Sequence, residues 1–392
     1  MNTIERFNKN VMGTYGRYDL VLESGENRTA VSEDGKEYID FGSGIGTNSL
    51  GFCDSDWVEA VCNQVKSIQH TSNYYYTKVQ ADFANKLCDS TGYCKMFFGN
   101  SGAEANECAI KLARKYSFDK YGKDAERNII ITLVNSFHGR TMTTLSATGQ
   151  DVFHNYFFPF TEGFVNVEAN NTDDLRAKLD EYDGKVCAVM FEFVQGEGGV
   201  IPLTQEFVDA IFDECEKRDI LTIADEVQTG IGRTGKLLAS QHYGKMPDVT
   251  TLAKGLAGGV PIGACLANEK CCDVLSKGTH GSTFGGNPIA CAGGNVVIDK
   301  VTADGFLDEV MKKSEYLKTK LSELSEVEGV DGLGLMLGVR LKTKSAADVC
   351  KACLDNGLLA LTAKTKLRFL PPLTITFDEI DKGLDILRKV LE

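Results

Sequence analysis

Between about residues 95 and 270, short β-rich runs alternate with amphipathic helical stretches, and this alternation restricts the fold more than any other feature of the chain. Lys95-Met96-Phe97-Phe98 reads as a strand, and a helix follows from Ser101 with Ala105, Cys108, Ala109, Leu112 and Tyr116 recurring at three-to-four spacing. Runs 129–134, 186–194 and 220–224 are β-rich and too short to stand as helices. Between the last two, residues 205–218 carry Phe207, Val208, Ile211, Phe212 and Cys215 on one stripe. Such a succession buries its apolar faces in a mostly parallel sheet with helices on both sides. Residues 20–41 read as short strands around the hairpin signal Glu33-Asp34-Gly35-Lys36. After about 290 the pattern changes to a long helix (304–325), a strand at 335–341, a helix at 346–355, more strand and a closing helix at 377–391. The expected class is therefore α/β: a large domain over 46–285, a smaller α+β domain over 286–392, and an N-terminal segment, 1–45, joining the smaller one.

At 392 residues the chain is too long for one ordinary core, which agrees with that division. No stretch reaches the roughly 18–20 continuous apolar residues that a membrane span needs. The start, Met1-Asn2-Thr3-Ile4-Glu5-Arg6, lacks the pattern of a signal peptide, so a cytoplasmic protein is expected. A net charge of −13 argues against nucleic acid and anionic membrane as partners, but leaves room for a small anion held by a few arginines. The thirteen cysteines are scattered, and Cys187, Cys215 and Cys265 lie in apolar runs. Cys88 and Cys94 are too far apart for a CxxC pair, and Cys271-Cys272 has no histidine at zinc-site spacing. Reduced thiols and no metal centre are expected.

Three clusters carry chemistry. Asp225 closes a strand, within Asp225-Glu226-Val227-Gln228, and Lys254 follows another apolar strand with a glycine after it. Ligands of open α/β sheets bind at such strand ends. A carboxylate and an amine there suit pyridoxal phosphate, the lysine as Schiff-base partner and the aspartate opposite the pyridinium nitrogen. A surface ion pair and a solvated lysine would leave the same trace. In Phe98-Gly99-Asn100-Ser101-Gly102-Ala103-Glu104-Ala105 a Gly/Ser turn opens a helix, so free amides and the helix dipole face a dianion. Ser101 with Glu104 also fits a plain capping box. The turn lacks the Walker lysine and GxGxxG spacing, which disfavours ATP and NAD. In Asn135-Ser136-Phe137-His138-Gly139-Arg140, Phe137 can stack on a planar ring and Arg140 can grip a carboxylate, or the two are core and surface. Arg368, inside Leu367-Arg368-Phe369-Leu370, is a charge in an apolar strand and needs a partner.

Taken in order, these stretches resemble the class III aminotransferases of the pyridoxal-phosphate fold-type I group over nearly the whole chain. The likeness adds Tyr38-Ile39-Asp40-Phe41, Glu197-Gly198-Gly199-Val200 and Gly281-Ser282-Thr283-Phe284-Gly285-Gly286-Asn287-Pro288 to the motifs above. It implies that Lys254 binds the cofactor covalently and shuttles the proton, with Asp225 on the ring nitrogen, Gln228 on the ring hydroxyl and Phe137 on the ring face. Ser101 with the Gly102 and Ala103 amides would hold the phosphate, and Glu226 and Val227 would complete the cofactor contacts. Thr283 and Ser282 would come from the neighbouring subunit of a homodimer with shared sites.

Within the class the likeness is to the acetylornithine aminotransferase family. There Tyr15, in Thr14-Tyr15-Gly16-Arg17-Tyr18, would line substrate entry and Arg140 would bind the α-carboxylate of N-acetylornithine. Glu197 would pair with Arg368 in the donor half-reaction and release it to 2-oxoglutarate or glutamate in the second. Ile45 stands where ornithine-specific enzymes usually carry tyrosine, which suits an acylated amine. Succinylornithine, succinyl-diaminopimelate, ornithine and 4-aminobutyrate are rival donors. Decarboxylation or aminomutation would not need the Glu197/Arg368 pair, and a non-catalytic binding module would not need Lys254. Three departures from the family pattern stand out: Gly51-Phe52-Cys53-Asp54-Ser55, Phe193 in place of proline, and a short tail at 362–368.

Overall fold

The computed structural model describes residues 1–392. The chain enters through α1 (Thr3–Asn10) and three short antiparallel strands, β1 (Leu22–Glu26), β2 (Thr29–Ser32) and β3 (Glu37–Asp40). An irregular turn, α2 (Ser43–Gly46), and helices α3 (Ser55–Ser67) and α4 (Lys78–Thr91) lead to the main sheet. There β4 (Lys95–Gly99), α5 (Gly102–Tyr121), β5 (Ile129–Leu133), α6 (Met142–Ala147), β6 (Phe164–Val167), α7 (Thr172–Glu181) and β7 (Val186–Phe191) alternate. A small ribbon of β8 (Val194–Gln195) and β9 (Ile201–Pro202) precedes α8 (Gln205–Arg218), β10 (Leu221–Asp225), β11 (Val249–Leu252) and β12 (Gly263–Ala267). Helices α9 (Pro288–Val301) and α10 (Phe306–Ser322) follow. The chain ends with β13 (Val327–Leu333), β14 (Met336–Leu341), α11 (Ala346–Asp355), β15 (Leu358–Leu359), β16 (Leu361–Ala363), β17 (Lys366–Phe369) and α12 (Phe377–Leu391).

The main sheet has seven strands in the order β4-β12-β11-β10-β7-β5-β6. Only β12 runs against the others, pairing antiparallel with both β11 and β4. The sheet is thus mostly parallel, as its alternating pattern requires. Apolar side chains cover both faces: Val189, Phe191, Phe207 and Ile211 pack on one, and Ala109, Ala113, Ile130 and Ile223 on the other. The carboxyl ends of β4, β5, β7, β10 and β11 open onto one edge, where an open α/β sheet offers its ligand crevice. The β-rich run 186–194 does not form one strand. It ends at Phe191 and resumes in the ribbon at Val194, because Glu192 turns inward to accept backbone amides.

The final third builds a second sheet, β13-β14-β17-β16, and its β15 pairs in parallel with β3 of the N-terminal hairpin (Leu358 opposite Ile39). Arg233 fastens the two regions together: buried, it donates to the carbonyls of Leu335 and Pro371. Two of the unusual stretches serve packing. Asp54 caps α3 by accepting from the Trp57 amide at 3.2 Å and pairs with Lys300 at 2.7 Å. Phe193 is fully buried and stacks on Tyr243, ring centroids 5.0 Å apart.

Candidate active site

Asp225 ends β10 in a closed shell. Its Oδ2 accepts from His138 Nδ1 and from Asn106 Nδ2, each at 2.8 Å, and its Oδ1 accepts from the Val227 amide at 3.0 Å. Asn106, on α5, also donates to the His138 carbonyl at 2.7 Å and accepts from Thr251 Oγ1 at 2.7 Å. Four elements therefore fix one carboxylate, and Asp225, His138, Asn106 and Thr251 are all buried. The opposite ring nitrogen of His138, Nε2, has no partner.

Lys254 opens a short 3₁₀ turn after β11 with φ +46°, a left-handed backbone that a side chain rarely accepts. Its amine lies within electrostatic reach of Glu197, Arg368, Asp225 and Glu192. Burial pushes the ammonium down to about 8, against the attraction of Glu197, so near neutral pH a usable fraction is free amine. On the turn after β8, Glu197 pairs with Arg368 of β17, Nη1 to Oε1 at 2.5 Å, and the same Nη1 donates to Gln228 Oε1 at 3.3 Å. Burial works to raise the Glu197 carboxyl, but Arg368 prevails and holds it below its ordinary range.

The start of α5 supplies an anion cradle. Ser101 caps the helix, its Oγ accepting from the Glu104 amide at 3.2 Å, while the Gly102 and Ala103 amides donate to no protein acceptor. Glu104 turns its carboxylate onto Asn100, by way of the amide and the side-chain Nδ2, which leaves the helix mouth to its own N–H groups. Val227 packs against Gly102; a Cβ there would lie 2.8 Å from Val227 Cγ1. Phe137, partly exposed in the loop after β5, meets Phe153 edge-on at 6.0 Å. The Arg140 guanidinium is exposed and lies 3.9 Å over the Phe153 ring and 5.4 Å over Phe137.

The structure thus gathers Lys254, Asp225, Gln228, Glu197 and Arg368 into one charged cluster. It brings the Ser101–Ala103 turn against Val227 and sets Phe137 beside Arg140. Glu226 turns its carboxylate elsewhere: buried, it accepts from the Ala239 and Ser240 amides at 2.6 and 3.0 Å and from Thr229 Oγ1, so it braces the turn after β10. Tyr15 is 74% exposed, with Arg17 5.3 Å over its ring. Ser282 accepts from Asn100 Nδ2 of its own chain at 3.1 Å, and Thr283 is exposed on the rim of a small cavity with His70 and Asn73. Two participants escaped the sequence reading, Asn106 and Glu192. Asn106 carried a signal, an amide flanked by the apolar stripe of α5. For Glu192 the only signal was a carboxylate directly after a fully apolar strand.

A family model described as aminotransferase class-III matches residues 13–391. The acetylornithine aminotransferase of Haemophilus ducreyi is 51% identical over 379 residues, covering 96% of this chain and 95% of that protein. Among solved structures, the ornithine aminotransferase of Toxoplasma gondii ME49 superposes with a TM-score of 0.94 at 30% identity, covering 99% of this chain and 94% of that one. The N-acetylornithine aminotransferase of Stenotrophomonas maltophilia K279a gives 0.84 at 34% identity, with 96% of each chain covered.

Proposed function

The chain belongs to the class III aminotransferases, and from that premise we propose that it transfers the 5-amino group of N2-acetyl-L-ornithine to 2-oxoglutarate, giving N-acetylglutamate 5-semialdehyde and L-glutamate. Relatives that bear the acetylornithine name at 51% and 47% identity over nearly their whole length support the donor. The observation that carries the reading is the Glu197–Arg368 ion pair beside Lys254. A donor that presents a neutral chain to this spot leaves the pair closed, and an acceptor bearing an α-carboxylate takes the guanidinium from Glu197.

The class is pyridoxal-phosphate-dependent, and the residues present fit that group. A desolvated amine lies within electrostatic reach of a shelled carboxylate. Val227, whose amide donates to that carboxylate, packs on the open, unsubstituted Gly102 of the anion-binding helix start. Ser101, Gly102 and Ala103 would hold the phosphate, Asp225 the ring nitrogen, Gln228 the ring hydroxyl, and Phe137 and Val227 the ring faces, with Lys254 the covalent link. When bound, the cofactor supplies an electron-withdrawing ring that stabilises negative charge on the amine-bearing carbon. Lys254 Nζ, whose free-amine fraction burial raises, removes the proton from that carbon and returns it on the far side of the transfer. Opposite the ring, the Asp225 carboxylate is held in place by His138 Nδ1, Asn106 Nδ2 and the Val227 amide, which all donate to it. Arg140, exposed on its aromatic shelf, grips the donor's α-carboxylate, and Tyr15 covers the entrance.

We further infer a homodimer in which Ser282 of the partner subunit and Thr283 of the partner subunit complete the phosphate and substrate contacts. The exposed aromatic stretch Tyr74, Tyr75 and Tyr76 and the neighbouring Phe284 give the large apolar surface such an interface needs. The thirteen unpaired thiols accord with a cytoplasmic enzyme. No helix is long and apolar enough to cross a membrane.

The likeness to ornithine aminotransferases makes free ornithine the rival donor. Ile45, apolar and 41% exposed, offers nothing to a free α-ammonium and favours the acetylated one. Acetylated, succinylated and free ornithine and 4-aminobutyrate, each assayed with 2-oxoglutarate by glutamate release, decide between them. A higher kcat/KM for acetylornithine is expected, and preference for free ornithine would overturn the assignment.

A further inference from the structure

We propose that Glu192 is a positioning residue of the active site: its one carboxylate holds the loop of Phe137 and the turn of Glu197 in fixed relation to Asp225. Its Oε2 accepts from the Phe137 amide and its Oε1 from the Gly196 amide, each at 3.1 Å. One oxygen thus steers the loop after β5 and the other steers the turn that presents Glu197 to Arg368. Gly196 extends the hold to a third group, since a Cβ there would lie 2.5 Å from Gln228 Oε1. Phe137, Glu197 and Gln228 are set by one buried side chain that itself has no opening to substrate.

A carboxylate so placed must be ionised to serve both amides fully, because a protonated carboxyl gives up one acceptor to its own hydrogen. Burial pushes this carboxyl up to about 7; His138 pulls it down and Asp225 raises it. The charged and titratable groups facing it are His138 and Asp225 from the ends of β5 and β10, and Lys254 from the end of β11. Glu197, on its own turn, is neutralised by Arg368. Protonation near neutral pH therefore slackens one of the two loops. Its loss of activity belongs on the acid side: the group must be deprotonated, and its hold fails as pH falls through its own pKa.

The test uses Glu192→Gln, which keeps shape and hydrogen-bonding size but offers a single acceptor oxygen. The kinetic arm rests on the transamination reading. In the holoenzyme, kcat is expected to fall about 10- to 100-fold, the scale of a misplaced reacting group, with donor KM within about threefold. The acid limb near pH 7 is expected to vanish from the kcat profile. In the cofactor-free protein, the Phe137 or Gly196 amide is expected to exchange hydrogen about tenfold faster, with amides of α8 unchanged. Wild-type kcat, pH profile and exchange rates in Glu192→Gln would overturn the proposal. If that variant does not fold, Glu192→Asp carries the test: it keeps the acid limb but, one methylene short, loses kcat and protection of one amide. Unaltered exchange in Glu192→Asp overturns the proposal as well. A wild-type protein inactive with every amine donor would refute the transaminase reading, whereas the exchange measurement still decides the role of Glu192.

Discussion

Arg368 Nη1 lies 2.5 Å from Glu197 Oε1, and the two partners are unequally exposed: 4% of the arginine side chain is accessible and 31% of the glutamate. The arginine is held from below by Gln228 and by its place in β17, so the glutamate is the partner free to swing. An acceptor carboxylate entering the cleft replaces Glu197 without moving the cation. We expect Arg368→Ala to lower kcat/KM for 2-oxoglutarate by about 100-fold or more, the cost of losing a buried charge-paired contact. Its effect on the donor half-reaction is expected to be small. Glu197→Ala is expected to let glutamate compete with the donor in single-turnover experiments. Equal losses in both half-reactions of Arg368→Ala would disprove the exchange of partners.

Lys254→Ala is expected to lose turnover by about a thousandfold or more, since a positioned acid–base group contributes roughly 10²–10⁴ and the covalent anchor is lost with it. The variant still offers the phosphate cradle and Asp225. It is expected to bind the cofactor without covalent attachment, so that denaturation under reducing trapping conditions leaves protein and cofactor separate. Retained turnover would show that another lysine does the chemistry.

The depressed Lys254 pKa also acts on stability. Folding lowers it from about 10.4 in the unfolded chain to about 8, so between those values the unfolded state binds more protons than the folded one. Stability of the cofactor-free protein then rises with pH through that window, and below it the strain of a buried ammonium is present in full. Lys254→Met removes the strain. Its cofactor-free form is expected to melt higher than wild type at pH 7, the gap narrowing from pH 8 to 10. A gap that does not change with pH would point to packing as its origin.

The alternating pattern made the main sheet legible because each strand is short, apolar and bounded by an amphipathic helix; α8, α11 and α12 begin and end where the sequence places them. Helix α9 was not legible. Gly293 and Gly294 interrupt its apolar stripe, and the reason lies in tertiary contact: a Cβ on Gly294 would lie 2.5 Å from Phe83 Cζ, and one on Gly293 2.8 Å from Trp57 Nε1. That helix packs on α3 and α4, and not on the sheet of the final third, although the change of pattern at 286 had grouped it there. In the site, Lys254, Asp225 and Arg368 announced themselves as charges at strand ends or within a strand. Asn106 and Glu192 did not, since each acts on backbone amides or on another side chain far away in sequence. Glu226 misled for the opposite reason, because adjacency to Asp225 on a strand end reverses the direction of the side chain.

The helix-start cradle depends on a close approach that can be tested without touching any charge. Gly102 has no side chain, and Val227 fills that space to within a distance no Cβ would tolerate. Gly102→Ala must push Val227 or the first turn of α5 aside, and either movement disturbs the amides that face the phosphate. We expect cofactor affinity to fall about tenfold, in the range of one or two kcal/mol typical of overpacking. Val227→Ala alone removes two methyl groups and is expected to weaken binding only slightly. In the double variant the new methyl finds the vacated space, so affinity is expected to recover most of the loss, a positive coupling between neighbouring residues. Cofactor titration of the four proteins by fluorescence measures the cycle. Additive losses would show that Gly102 acts through the helix backbone alone and that Val227 does not set the width of the cradle.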